Sequence, residues 1–369
     1  MKMMKAARLH KVGEPMRLET VPVPRPTPND VLVQVRACGI VPNLANILTH
    51  WETWFPELPL PPLPAIFGLD PTGEIVEVGS QVHAWKPGDR VYVNPGRYCL
   101  GCRACRNGDF INCTSYTFNG YFGFAPGSMK IFEHYAHGGL CEYLAAPQYS
   151  LVKLPDNVTY EQAARFGYLG TMYSALRKAR VAPGRTLLVN GISGTLGIGG
   201  ALFGLAMGAT KIYGTGRNVA LLERVRALAP GRIEVLSIEG DEPIDHWAKR
   251  RTGAAGVDVF VDALGPGAKH ETFVQAVRAL KRGGRGFNIG AIAGAVGLDL
   301  HTMMDDQQTM EGSAWFTAGE GQDMADMAEM GLVDLSVFEH VCFPLEAVND
   351  AIGGIAHRDG GFSNFVIRP

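Results

Sequence analysis

Four cysteines, Cys99, Cys102, Cys105 and Cys113, stand in the spacing C-x2-C-x2-C-x7-C within a loop that begins at Tyr98. Four thiolates close a tetrahedral zinc site completely and leave no coordination position for water or substrate. The spacing therefore predicts one structural zinc per chain. An iron–sulfur cluster uses the same ligand type, but the ferredoxin run ends in C-x3-C-P, and here Thr114 follows Cys113. Cys38, Cys141 and Cys342 stand apart and read as small buried hydrophobes.

A second chemical pattern lies near the middle of the chain. Residues 187–190 read as a strand that runs into Gly191-Ile-Ser-Gly194-Thr-Leu-Gly197 and then into an apolar helix. Glycine at such a turn lets the backbone approach a pyrophosphate, whose charge the amides and the helix N-terminus stabilise. A second strand, 211–213, arrives about twenty residues later, where an NAD site places an acid on the ribose 2′-hydroxyl. The sequence there is Gly214-Thr-Gly216-Arg217-Asn218. Gly216 removes the repelling carboxylate and Arg217 offers a planar fork to a 2′-phosphate, so NADPH is the expected coenzyme. The competing reading makes Arg217 a solvated charge at a strand end.

The surrounding elements divide in two. Val31, Val33 and Val35 alternate with Gln34 and Arg36, and residues 68–94 place glycines and a Pro-Gly-Asp turn between short β-branched runs, as in an antiparallel barrel. After about residue 165, apolar strands at 186–189, 211–213, 257–261 and 286–289 alternate with helical stretches such as 219–228 and 270–280, which predicts βαβ units on a parallel sheet. FPLEAVNDAI near the C-terminus is expected to form an amphipathic helix, and FVIRP a strand. At 369 residues the chain is long enough for two domains, and a net charge of −2 without a dense basic run gives no reason to expect a nucleic-acid or membrane partner. No signal-peptide core or membrane-length apolar run is present, and clustered cysteines suit a reducing compartment, so the expectation is a cytoplasmic protein.

Nearly the whole chain resembles the zinc-containing alcohol dehydrogenases of the medium-chain dehydrogenase/reductase superfamily. The resemblance is carried by GEIVEVGSQVHAWKPGDRV, the four-cysteine lobe, GGLCEYLAAP, GTMYSAL, GISGTLG, VDVFVDALG, GGRGFNIG and FPLEAVNDAI, in the family's order. It implies an α/β protein with a GroES-like β-barrel substrate domain (1–167 and 318–369, zinc lobe 98–113) and a Rossmann domain with a doubly wound parallel sheet (168–317). It also implies a small-molecule substrate, a homodimer or homotetramer, and coenzyme contacts at Thr171, Ser193, Gly194, Thr195, Leu196, Gly216, Arg217, Asn218, Ala291, Ser313 and Trp315.

The departures from the family carry the functional reading. Where relatives hold a catalytic zinc, this chain has Val41, Leu69 in Gly68-Leu69-Asp70, and Gly167; where they relay the alcohol proton, it has Asn43 and Asn46, with Leu44 in place of an acid. Asparagine does not titrate, and Asp70 alone cannot hold a zinc ion. Hydride delivery without a Lewis acid suits an electron-poor acceptor such as an enone, quinone or iminium. Reduction of an ordinary carbonyl with a side-chain acid is the alternative, and a non-enzymatic NADPH sensor the second. Asp70 and Tyr168 head the candidate acids, with Asn43 beside them and His50, His134 and His137 further down; for each, a packing role competes. Trp51, Trp54 and Phe55, followed by Pro59, Pro61, Pro62 and Pro64, are expected to wall an apolar pocket, or else to serve as core or a dimer contact.

Overall fold

The alternating valines do form a strand, Asp30–Gly39, with Val31, Val33 and Val35 buried and Arg36 turned outward. In this computed structural model, which describes residues 2–54 and 56–369, that strand is the centre of a seven-stranded sheet. It pairs antiparallel with Asp70–Val78 on one side and, along its first half, with Tyr143–Pro147 on the other. Its last residues, Cys38 and Gly39, pair with Ile367 and Val366 of the C-terminal strand Ser363–Arg368. The end of the chain thus completes a sheet begun near its start. The expected C-terminal helix is displaced: Phe343 and Pro344 finish the strand Glu339–Pro344, and the α-helix covers Val348–Gly354. Phe343 is held by strand pairing with Ile367 and by ring stacking on Phe365, so tertiary pairing overrides the helical period at that point.

Between these parts lies a six-stranded sheet in the order Ile233–Ser237, Lys211–Gly216, Thr186–Asn190, Val257–Asp262, Leu280–Asn288, Thr309–Gly312, all parallel. The chain enters at Thr186–Asn190, proceeds to one edge and returns to the other side. The order therefore reverses between Thr186–Asn190 and Val257–Asp262, and ligands of such sheets bind in the crevice outside the strand ends at that reversal. The helix Phe166–Lys178 joins the two parts. Ten of its thirteen residues are buried, and it packs on Gly197–Ala206 and Ala318–Glu329. Among the described residues no helix is long and apolar enough to cross a membrane.

Candidate functional site

The four cysteine sulfurs lie within 4.8 Å of one another, with Cys99 and Cys113 3.5 Å apart. A tetrahedron with sulfur about 2.3 Å from zinc has edges of about 3.8 Å, so the cluster fits that ion. Backbone N–H groups already serve the sulfurs: Cys99 N donates to Cys113 Sγ (3.3 Å), Cys102 N to Cys99 Sγ (3.3 Å) and Ser115 N to Cys113 Sγ (3.4 Å). The lobe is anchored by Tyr98, whose ring stacks on Phe110 at 4.5 Å and lies 4.6 Å from Tyr149.

The glycine turn sits at the reversal point of the parallel sheet. Gly191 takes φ +80°, a left-handed value that favours glycine, and a Cβ on Gly197 would stand 2.0 Å from Gly191 O. Beneath the turn, Asn190 Nδ2 donates to Asp262 Oδ1 (3.2 Å), Thr215 Oγ1 donates to Asn190 Oδ1, and Leu264 N donates to Asp262 Oδ2 (3.3 Å). Burial raises Asp262 to about 6. Sequence reading missed this polar floor, although Asn190 and Asp262 each close an apolar strand. The C-terminal arm clamps the turn from outside: Gly361 N donates to Ser193 O (2.8 Å), and Arg358 Nε donates to Thr195 Oγ1 (3.3 Å).

Of the expected coenzyme contacts, Gly216 is buried at the end of its strand and Arg217 is exposed one residue beyond. Asn218 caps the next helix, its Oδ1 accepting from Leu221 N (3.1 Å). Leu196 leads into the helix Gly197–Ala206, with Gly194 partly exposed in the turn before it. Ala291 is exposed beyond the strand Leu280–Asn288, while Ser313 and Trp315 are buried beyond Thr309–Gly312. Thr171 is buried in the joining helix, Oγ1 donating to Gly167 O (2.9 Å).

Where relatives place the catalytic zinc, the structure is filled by packing and one buried acid. Val41, Leu69 and Gly167 are buried, and Asp70 is 1% exposed. A Cβ on Gly167 would lie 2.2 Å from Asp70 Oδ1, so glycine is what makes room for the carboxyl. Tyr92 Oη donates to Asp70 Oδ1 (2.8 Å), and the backbone of Gly167 also hydrogen-bonds the group. Desolvation outweighs these donors and the nearby Arg165 charge and raises Asp70 to about 7. Arg165 is itself buried: Nη2 donates to Gly361 O (2.9 Å) and Thr195 O (3.3 Å), Nε has no hydrogen-bond partner, and desolvation lowers it to about 10. No local pattern of residues marks this cation.

Tyr168 is partly exposed, and burial of its hydroxyl raises it to about 12. Asn43 joins it through a backbone hydrogen bond, while Asn43 Oδ1 accepts from Asn46 Nδ2 (3.2 Å). The Asn43 amide also approaches the buried Tyr121 hydroxyl without closing a hydrogen bond of good geometry. Asp70, Tyr168 and Asn43 are thus brought together. His134 and His137 are not: they line a separate cavity of ≈ 260 Å³ with Met4, Arg8 and Ile66, and His137 Nδ1 accepts from Ile66 N. His50 is exposed at a break in the helix Leu44–Trp54. Trp51 is buried with its ring 5.3 Å from Phe122, and Phe55 lies outside the described residues.

A largely antiparallel seven-stranded sheet carrying a buried acid, joined to a parallel sheet with a glycine turn at its reversal, defines a dinucleotide-type oxidoreductase scaffold. The chain matches the family described as "Alcohol dehydrogenase GroES-like domain" over residues 27–156 and "Zinc-binding dehydrogenase" over 195–330. It is 31% identical to an L-threonine 3-dehydrogenase of Chelativorans sp., covering 77% of this chain and 75% of that one, and 30% identical to a sorbitol dehydrogenase of Bacillus subtilis, covering 76% and 73%. Among solved structures, AibC superposes with a TM-score of 0.85 at 26% identity over 100% of this chain and 96% of its own. A zinc-binding dehydrogenase of Sinorhizobium meliloti bound to NADP shares the fold at a TM-score of 0.83 and 22% identity, over 100% of both chains. The protein belongs to the zinc-containing alcohol dehydrogenases of the medium-chain dehydrogenase/reductase superfamily and is an oxidoreductase of that family.

Proposed function

We propose that this protein is an NADP(H)-dependent reductase that works without a catalytic zinc and reduces activated C=C or C=N bonds, as in enones, quinones or iminium ions. The observation that carries the reading is the fate of the three ligand positions: Val41 and Leu69 are apolar, Gly167 has no side chain, and Asp70 is turned onto Tyr92 and Gly167. A catalytic zinc needs three protein ligands, and these residues do not fit one. A structural zinc fits Cys99, Cys102, Cys105 and Cys113.

The coenzyme supplies a hydride. On the protein side, Arg217, beside the side-chain-free Gly216, is suited to a 2′-phosphate. The turn at Ser193–Leu196 lies at a pyrophosphate position, and Thr171, Ala291, Ser313 and Trp315 are assigned to the nicotinamide end. Reducing a simple ketone demands stabilisation of a localised alkoxide, a task metals perform with several kcal/mol. An enone spreads that charge over an enolate, which then needs a proton at its α-carbon; a quinone takes its proton at oxygen, and an iminium ion is neutralised by the hydride itself. Tyr168 suits the role of proton donor better than Asp70: at about 12 it carries its proton throughout the neutral range, whereas Asp70 is 1% exposed and already engaged by Tyr92.

Product analysis after NADPH turnover with a conjugated enone tests this. A saturated ketone is the expected product, formed far faster than products from saturated aldehydes or ketones of equal size. An allylic alcohol contradicts the proposal and makes Tyr168 the acid of a carbonyl reductase instead.

A further inference from the structure

We propose that Asn94 is a positioning residue for the nicotinamide end of the coenzyme, acting through Trp315 and Phe316. The inference rests on the dinucleotide-site reading above but not on the substrate class.

The segment 313–317 leaves the C-terminal end of the parallel strand Thr309–Gly312, the edge at which ligands of such sheets bind. Its side facing the joining helix is fixed by contact, since a Cβ on Gly170 would stand 2.4 Å from the Phe316 ring, one residue from Thr171. The backbone there is unusual. Trp315 takes φ +62°, a left-handed conformation unfavourable for a residue with a bulky side chain, and such outliers persist only where their surroundings enforce them.

Asn94 is the group that enforces it. It follows the strand Arg90–Val93 and is 3% exposed. Its Nδ2 donates to Phe316 O (3.1 Å), and its Oδ1 accepts from Trp315 Nε1 (3.0 Å) and from Gly96 N (2.9 Å). One amide thus holds both the backbone after Trp315 and the indole itself, across more than 220 residues of sequence. Its own backbone is fixed in turn: Asn94 N donates to Ser150 O (2.9 Å), and Arg97 Nη1 donates to Asn94 O (2.6 Å). Only an amide serves here, because a carboxylate has no donor for Phe316 O and an apolar side chain has neither function. The antiparallel sheet therefore sets the shape of a loop that belongs to the parallel one.

Equilibrium titration with two probes tests the assignment: NADPH, and 2′-phospho-ADP-ribose, the same molecule without nicotinamide. Asn94→Ala is expected to weaken NADPH about tenfold, the scale of two lost hydrogen bonds, while 2′-phospho-ADP-ribose stays within about twofold. Trp315→Phe keeps a ring but removes the indole donor, and is expected to give a smaller loss with the same selectivity. Equal weakening of both probes, or no weakening of NADPH, overturns the proposal, because general destabilisation does not discriminate between the two ends of the coenzyme. If Asn94→Ala does not fold, Trp315→Phe decides alone. If the wild type prefers NADH, the 2′-phosphate reading fails, and NADH with ADP-ribose tests Asn94 in the same way.

Discussion

Two regions of this molecule, the cysteine lobe and the buried acid beside Gly167, have opposite chemistry. The lobe at Cys99–Cys113 keeps four sulfurs within bonding range of one ion, presented by a loop whose own N–H groups already point at them. The second region keeps no ligand set. Val41 and Leu69 join the core, and the Asp70 carboxyl fills the space over Gly167. The first gathers four thiols that could hold a metal ion; the second is a buried acid whose charge the fold resists. A structural ion closes a loop that has little core of its own, so losing it exposes a folding cost, whereas a catalytic ion can be replaced by packing once the substrate no longer needs a Lewis acid.

The largest expected effect separates the two regions directly. Elemental analysis is expected to give about one zinc per chain, and Cys102→Ser to impair folding before it touches hydride transfer, since structural zinc contributes on the order of 10 kcal/mol to folding in small zinc domains. Two zincs per chain would break the comparison. Next comes the acid. With Asp70 raised from 3.8 to about 7, the folded state holds a proton that the unfolded state has released. Stability is unaffected below about pH 4, falls as pH rises from there to 7, and is lower by about 4 kcal/mol above it, taking three units at 1.36 kcal/mol each. Asp70→Asn keeps one acceptor oxygen for Tyr92 without the charge. Its melting temperature is expected to gain on the wild type between pH 5 and pH 8, and parallel melting curves across that range would show that Asp70 is not held neutral.

Smaller effects sharpen the picture. Arg217→Ala is expected to weaken NADPH by about 1.5–3 kcal/mol, the scale of charge-assisted hydrogen bonds, and to leave NADH nearly unchanged; equal losses measured by fluorescence titration would remove the 2′-phosphate role. The reverse design, Gly216→Asp, meets Ser193 Oγ at 2.9 Å from its Cβ, so its gain for NADH depends on that hydroxyl turning away. Gly167→Ala is expected to cost about 1–3 kcal/mol through overpacking against Asp70, and less in an Asp70→Ala background, where the contact is gone. Additive losses in a denaturation double-mutant cycle would mean that the carboxyl does not fill the old ligand position.

Much of this was legible in the residues. Local rules govern the cysteine spacing, the strand–turn–helix at Gly191–Gly197 and the alternation of Val31, Val33 and Val35, because each is set by neighbours a few positions apart. That Val41, Leu69 and Gly167 offer no metal-ligating side chain was equally readable, since it concerns residue type alone. What the sequence left open was where side chains point and what they meet. Asp70 and Tyr168 stood as equal candidates until burial turned one onto Tyr92 and left the other partly open. Phe343 was lost from its expected helix to a partner strand at the chain's end. Arg165, which meets Thr195 and Gly361, and Asn94, which meets Trp315 and Phe316, carry no local pattern at all. Their roles come from contacts across roughly 30 to more than 200 residues, and hydrogen bonds and desolvation of that reach exist only once the chain has closed on itself.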